Sequence, residues 1–447
     1  MTLKKKTEKT GPHRQIWAIA GPAILANSSA PLVGLVDTWA IGHLPGAVHL
    51  AAVGLGSVIF NYLLWAFGFL RMGTTGLIAQ AHGRDDRRGQ LVTVVRSSAI
   101  ALAFGVLLFL LQDALLILSF KALAAPGDVA AVTEEYFRIR IWAAPFTLFG
   151  YAVTGVLFGL ARTRTILWLQ LFLNVTNGVL NVTFVVWLGW GVPGVAWGTL
   201  IAQLLTAVAS AWIVARIYGA AALLACARDG GTWVLAQFQK LLLVNGFIFI
   251  RTIFLMTALA LIMREAAALG TVEMATSHVI TQYMMLIALG LDGFAHASEA
   301  LAGAAWGRRN RAQFRRWVYL TGYWSLLASL AYALLFWLFG NDITALLTDI
   351  ESVQVAAGAL LPLVVALPLV SMWCFLFDGV YIGATAAAAM MVTMGIAFLV
   401  YLLLLGPMTQ SWGLHGLWGA VLVFMGARGL AQAIWYPRLE RRLEKQA

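Results

Sequence analysis

Apolar stretches of about 20 residues or more recur along the whole chain, each long enough to cross a bilayer core of about 30 Å as a helix. Short polar connectors carrying Pro-Gly, Gly-Trp-Gly or Arg-Thr-Arg interrupt them, and such dipeptides and tripeptides mark turns. The pattern predicts twelve helices, the first six near 15–44, 50–80, 92–118, 136–161, 164–188 and 192–217. The second six fall near 238–266, 273–304, 315–340, 353–383, 385–406 and 413–436. Residues 1–14 and 437–447 read as short terminal segments, and 218–237 as the longest internal linker. The expected fold is therefore an all-α polytopic membrane protein with two six-helix lobes, 15–217 and 238–436.

The two lobes repeat one another at a fixed distance of 224 residues. Gly83-Arg84 with Arg87 recurs as Gly307-Arg308 with Arg311, and Gly155-Val156 with Gly159 recurs as Gly379-Val380 with Gly383. Gly46, Val48 and Ala51 recur as Gly270, Val272 and Ala275. Six spans separate the copies, so both are expected to share one orientation, related by an axis along the membrane normal. Position 37 breaks the repeat: it is Asp, and its counterpart 261 is Leu.

Charge fixes the expected topology. The terminal segments and every second connector collect Lys4–Lys6, Lys9, Arg84, Arg87, Arg162, Arg164, Arg308, Arg309, Arg438 and Arg441, among others. The opposite connectors hold mostly acids, including Asp113, Asp128, Asp342 and Glu351, so both termini are expected on the cytoplasmic side. The net charge of +11 is accounted for by this asymmetry and does not call for a nucleic acid. With 61% hydrophobic and 11% charged residues and a mean hydropathy of +0.84, most of the surface must face lipid. The two cysteines, Cys226 and Cys374, have no neighbours at ligand spacing, so neither a disulfide framework nor a metal site is expected.

Polar groups inside the spans are the candidates for chemistry. Asp37 lies in the first helix within Pro31–Trp39, where an ionised carboxylate costs about 2.5–3.5 kcal/mol on insertion scales. Burial of that kind favours the protonated form, which lets such an acid take up a proton on one side and release it on the other. Asn174, Asn177 and Asn181 share the fifth helix, the last two being four residues apart and hence on one face. Thr199 on the sixth helix is a further candidate for that cluster. As mere helix glue such amides contribute about 0.6 kcal/mol each. In the second lobe Asp292 and Glu299 share a face of the eighth helix and Asp378 lies in the tenth, with Arg71, Arg251 and Arg428 as candidate partners. Ion pairing that locks the bundle is a full alternative to a transport role there. Gly155 and Gly159 form a GxxxG pair suited to close helix packing.

These segments resemble the MATE (multidrug and toxic compound extrusion) family over nearly the whole chain, and within it the DinF branch. The resemblance is carried by Pro31–Gly42, Leu50–Gly54, Gly83-Arg84, Arg140–Pro145 and Gly189–Ala196, with Leu291–Ala300 and Phe377–Thr385 most specific to the branch. It implies export of organic compounds driven by inward H⁺ or Na⁺ flow. It also implies a first-lobe site centred on the acid matching Asp37, with Tyr136, Asn177 and Thr199 at further matching positions. Pro22 matches a proline associated with helix bending, and Asp378 matches the family's acid on the tenth helix. Family members often carry a second acid four residues after the asparagine, where this chain has Asn181. A lone neutralisable acid suits a proton better than Na⁺, which favours several oxygen ligands and charge neutralisation. H⁺ is therefore the expected coupling ion, with Na⁺ the alternative.

The expected function is secondary antiport of amphipathic or cationic compounds (drugs, dyes, bile-salt-like amphiphiles) by a monomer in a bacterial inner membrane, with no cofactor. A lipid-linked precursor flippase of the same architecture is the runner-up; it would favour a large cationic cavity, whereas the intramembrane arginines here are few and scattered. An embedded enzyme would need a cluster of nucleophile, base or metal ligands, and the sequence has none.

Overall fold

In the computed structural model the described residues are 11–42, 47–123 and 127–446, less the side chains of 30–41, 47, 235–237, 240, 445 and 446. They are almost entirely helical, with no strand among them. Ten helices are long and apolar enough to span a membrane. One of them, Ala387–Glu444, is two helices merged across Gly413, whose φ of 54° and ψ of −130° break the helical path. With Pro12–Gly42 this makes twelve. We label them α1 (Pro12–Gly42), α2 (Val48–Gly83), α3 (Arg87–Leu110), α4 (Gly127–Gly159), α5 (Thr163–Trp187) and α6 (Gly191–Tyr218). The second set is α7 (Leu241–Leu269), α8 (Thr271–Gly307), α9 (Arg311–Leu347), α10 (Leu361–Gly383), α11 (387–412) and α12 (414–446). Polytopic membrane architecture is thus present as the apolar pattern predicts.

The chain divides into two compact units. One holds the start of α1 through Ile24, Ala79–Asp85 and everything from Leu242 onward; the other holds Leu25–Ile78 and Asp86–Leu241. The single helix α1 therefore serves both, changing unit between Ile24 and Leu25, two residues beyond Pro22.

The repeat seen in sequence reappears as packing inside each unit. In the second unit Gly155 lies against the Arg71 carbonyl and Gly159 against that of Thr75, so that α4 closes onto α2 where a Cβ would collide with backbone. In the first unit Gly379 meets the Ala295 carbonyl and Gly383 that of Glu299, each partner again 224 residues on. The GxxxG pair is thus a packing device, which lets helices approach closely where lipid gives no hydrophobic drive to associate. A second device is reciprocal: Gly83 lies on the Ala304 carbonyl while Gly307 lies on the Gln80 carbonyl.

The turns repeat too. Among the described residues the non-glycine positions with positive φ are Asp85 (56°), Ala161 (56°), Arg309 (55°) and Thr385 (51°), which form two pairs offset by 224. Three of these end their helices with paired bonds of Schellman type, such as Ala161 N–H to the Phe158 carbonyl and Arg162 N–H to that of Leu157. The caps that start the next helices match as well. Asp86 accepts from Gly89 N–H at the head of α3, and Asn310 accepts from Gln313 N–H at the head of α9.

Candidate functional site

The polar stripe of α5 arises from Gln170, Asn174, Asn177 and Asn181, whose spacings of three and four keep them on one helical face. The structure resolves this stripe into two relays. In one, Gln170 Nε2 donates to Asn174 Oδ1 (3.0 Å), Asn174 Nδ2 to Ser29 Oγ (2.9 Å), and Ser29 Oγ to the Ala26 carbonyl (2.7 Å). In the other, Asn181 Nδ2 donates to Asn177 Oδ1 (3.3 Å), Asn177 Nδ2 to Thr199 Oγ1 (3.1 Å), and Thr199 Oγ1 to the Val195 carbonyl (3.0 Å). Asn177, Asn181 and Thr199 are therefore brought together. Gly198 of α6 leaves the space into which the Asn181 side-chain oxygen projects.

Directly after Asn181 the helix widens into a π turn, Val182–Trp187, in which Leu188 N–H reaches back to the Thr183 carbonyl. Such turns are frequent at functional sites. No residue pattern in the sequence announces it.

Tyr136 of α4 is buried, its ring set against Gly56 of α2 and edge-on to Phe60. Its hydroxyl accepts from Arg140 Nη1 at 2.5 Å, and the Arg140 guanidinium lies 4.6 Å over the Phe60 ring. Arg140 and Thr199 both line a small cleft, together with Phe60, Thr147 and Gln203. Tyr136 and the α5–α6 amide relay thus meet on a shared cavity through Arg140. Arg140 enters the sequence reading through the family motif, not as a site residue; its position four after Tyr136 was the available signal. Asp37 lies on α1, and its side chain is outside the described residues.

The candidate acids of the other unit are differently placed. Asp378 accepts from three side chains: Arg251 Nη2 and Arg428 Nη2 (3.1 Å) share its Oδ2, and Gln432 Nε2 donates to Oδ1 at 2.7 Å. Arg251 and Arg428 are both buried, and Asp292 adds a second negative charge within electrostatic range of them. Glu299, also buried, pairs with His296 Nδ1 at 3.3 Å. His296 and Gln432 are additions to the expected set; Gln432 sits one turn beyond Arg428, a spacing readable in hindsight. No group of three His, Cys, Asp or Glu able to hold a metal occurs among the described residues.

The MatE family pattern matches residues 22–183 and 234–408, both halves of the repeat and most of the chain. The chain belongs to the MATE family. It is 34% identical over 436 residues to DNA damage-inducible protein F of Escherichia coli K12, covering 95% of this chain and 92% of that one, which places it in the DinF branch. It is 26% identical to Protein DETOXIFICATION 44, chloroplastic, of Arabidopsis thaliana, over 94% of this chain and 81% of the relative. Among solved structures, a MATE protein in complex with MaL6 superposes with a TM-score of 0.87 over 100% of both chains at 22% identity. A MATE family transporter of the MOP superfamily in an outward-facing conformation gives 0.84 over 97% of each, also at 22%. The MATE fold is thus shared end to end, and the chain is a transporter of the multidrug efflux type, not an enzyme.

Proposed function

We propose that this MATE protein exports small amphipathic organic compounds by H⁺-coupled antiport and alternating access, with Asp37 as the coupling acid and the cluster of Tyr136, Asn177, Asn181 and Thr199 as the neighbouring site. The observation that carries this reading is the contrast between the two units. The carboxylate of Asp378 is already committed to two guanidinium groups and an amide, which suits a structural brace. The α5–α6 amides instead run to the edge of an open cleft. Asn181 in place of an acid leaves fewer charged oxygens for Na⁺ and so favours a proton.

In this reading protonation of Asp37 from outside displaces the substrate and bends α1 near Pro22, and deprotonation inside resets it. The change of packing unit just after Pro22 supports a hinge there. Solved MATE proteins of the same fold are described in bent, straight and outward-facing conformations. A relative from Bacillus subtilis, 29% identical over 42% of this chain, is named a probable multidrug resistance protein. We further propose a monomer in a bacterial inner membrane; the Escherichia coli relative supports that membrane, and the distribution of Lys and Arg supports cytoplasmic termini.

The test is transport of a cationic dye in proteoliposomes under imposed H⁺ or Na⁺ gradients. Wild type is expected to respond to the H⁺ gradient, Asp37→Asn to lose that response while remaining folded, and Asp378→Asn to retain it wherever it folds. Undiminished H⁺-driven transport by Asp37→Asn would overturn the reading.

A further inference from the structure

The last turns of α12 have two opposed faces. On the inner face Tyr436 stacks on Phe314 of α9, and Leu439 and Leu443 are buried. Glu440, also buried, forms ion pairs with Arg311 Nε (3.2 Å) and Arg315 Nε (2.7 Å), and Glu444 pairs with Arg311 as well. Spacings of three and four residues keep this set on one side of the helix. The end of α12 is thereby docked along α9, and its two acids are matched by arginines of α9.

The outer face carries Arg438, Arg441 and Arg442, all exposed and none with an acidic or hydrogen-bonding partner among the described residues. The Arg438 guanidinium lies 5.1 Å over the Trp435 ring, a contact that holds it in place. Cations three and four residues apart are neighbours on a helix and repel one another. The helix dipole, which favours cations at a C-terminus, fades beyond the last turn and so accounts for Arg442 at most. At intervals of three or four residues the same face is preceded by Ile434, Leu430, Ala427 and Val423, of which Ile434 and Leu430 are 65% and 62% exposed. From Leu414 to Pro437 the helix rises about 35 Å, enough to cross a core of about 30 Å. The change from Ile434 to Arg438 therefore falls where lipid tails give way to head groups.

We propose that this face of α12 binds an anionic phospholipid, with an acyl chain along Val423, Leu430 and Ile434 and the acidic head group held by Arg438, Arg441 and Arg442. Arginine suits the head group because its planar fork pairs with phosphate oxygens through two parallel bonds. An acidic lipid relieves the repulsion among the three cations and meets no competing carboxylate, because Glu440 and Glu444 are engaged by α9. A zwitterionic lipid offers the same chains but brings its own cation against the arginines. An acidic protein or a nucleic acid would use the arginines and leave the apolar stripe idle. Arg428 and Gln432, which hold Asp378, lie ten and six residues before Arg438 on this helix. A lipid fixed at Arg438 thus sets the axial position of the helix that braces Asp378. The site goes beyond the export reading and does not depend on the coupling ion; only its assignment to the cytoplasmic leaflet rests on the topology proposed above.

The experiment titrates the purified full chain, in neutral detergent micelles, with phosphatidylglycerol and phosphatidylcholine bearing the same pyrene-labelled acyl chain. Binding is read by energy transfer from tryptophan. Wild type is expected to bind phosphatidylglycerol more tightly than phosphatidylcholine. The combined variant R438Q/R441Q/R442Q is expected to lose about tenfold or more of the phosphatidylglycerol affinity, since each basic residue near an anionic lipid surface contributes about fivefold. Its affinity for phosphatidylcholine should not change. Lysine at all three positions should restore most of the loss, and melting temperatures establish that each variant is folded. A control with the same loss of charge at other exposed arginines, R84Q/R164Q/R228Q, should bind phosphatidylglycerol as wild type does. Undiminished phosphatidylglycerol binding by the first variant, an equal loss in the control, or an equal loss of both lipids overturns the proposal. So does displacement of the lipid by glycerol phosphate or by a short oligonucleotide at equal concentration, since either would show that the apolar stripe contributes nothing. Selective lipid binding by a protein that shows no gradient-driven transport would leave this site standing and sink the antiport reading instead.

Discussion

The Asn177 amide donates to the Thr199 hydroxyl at 3.1 Å, joining α5 to α6 side chain to side chain. Because Thr199 has already given its proton to the Val195 carbonyl, the order of donors along the chain from Asn181 is fixed. Asn177→Ala removes two links at once, which costs about 1–3 kcal/mol in a buried setting. Dye export from cells should fall severalfold, and the melting temperature should drop only modestly.

Asn181→Asp is nearly isosteric, so the pocket beside Gly198 should accept it. It adds a second carboxylate oxygen set next to Asn177. The expected outcome is a response to an imposed Na⁺ gradient in proteoliposomes that wild type lacks. A variant that folds and transports but ignores Na⁺ would show that one added acid is insufficient for the ion.

Asp378→Asn should act on stability. It leaves Arg251 and Arg428 buried without their shared carboxylate, and breaking a buried pair by removing one partner costs about 3–5 kcal/mol. Thermal unfolding of the purified protein should show a marked fall. Asp378→Asn combined with Arg251→Met should recover part of it, since the combination removes one of the stranded charges.

Gly83→Ala and Gly307→Ala each push a methyl onto a carbonyl, that of Ala304 in the first case and Gln80 in the second. Overpacking of this kind costs about 1–3 kcal/mol. Because the two contacts are counterparts at an offset of 224 residues, the two losses in melting temperature should be of similar size. A large effect at one and none at the other would show that the crossing is asymmetric in solution.

The elements most legible in sequence were those set by long-range regularity. Spans such as the one predicted near 315–340 follow from apolar length alone, and α9 runs Arg311–Leu347. The glycines of the repeat were legible because close backbone contact demands that residue. The π turn at Val182–Trp187 was not, since no local residue pattern marks it. Arg140 was hidden for another reason: no local pattern points to its stacking on Phe60, which lies 80 residues earlier. The three hydrogen bonds on Asp378 likewise come from α7 and α12, which no local pattern connects.

The left-handed turns at Asp85, Ala161, Arg309 and Thr385 bear on the chain's ancestry. Ala161 and Thr385 are different in chemistry, as are Asp85 and Arg309, yet each pair bends by nearly the same angle. Non-glycine residues strain in that conformation, so drift alone would have relaxed it in one copy or the other. Inheritance here has kept the path of the backbone and let the side chains diverge. Aligning the halves of such transporters by their turn angles should recover a common single-lobe ancestor where residue identity has already faded.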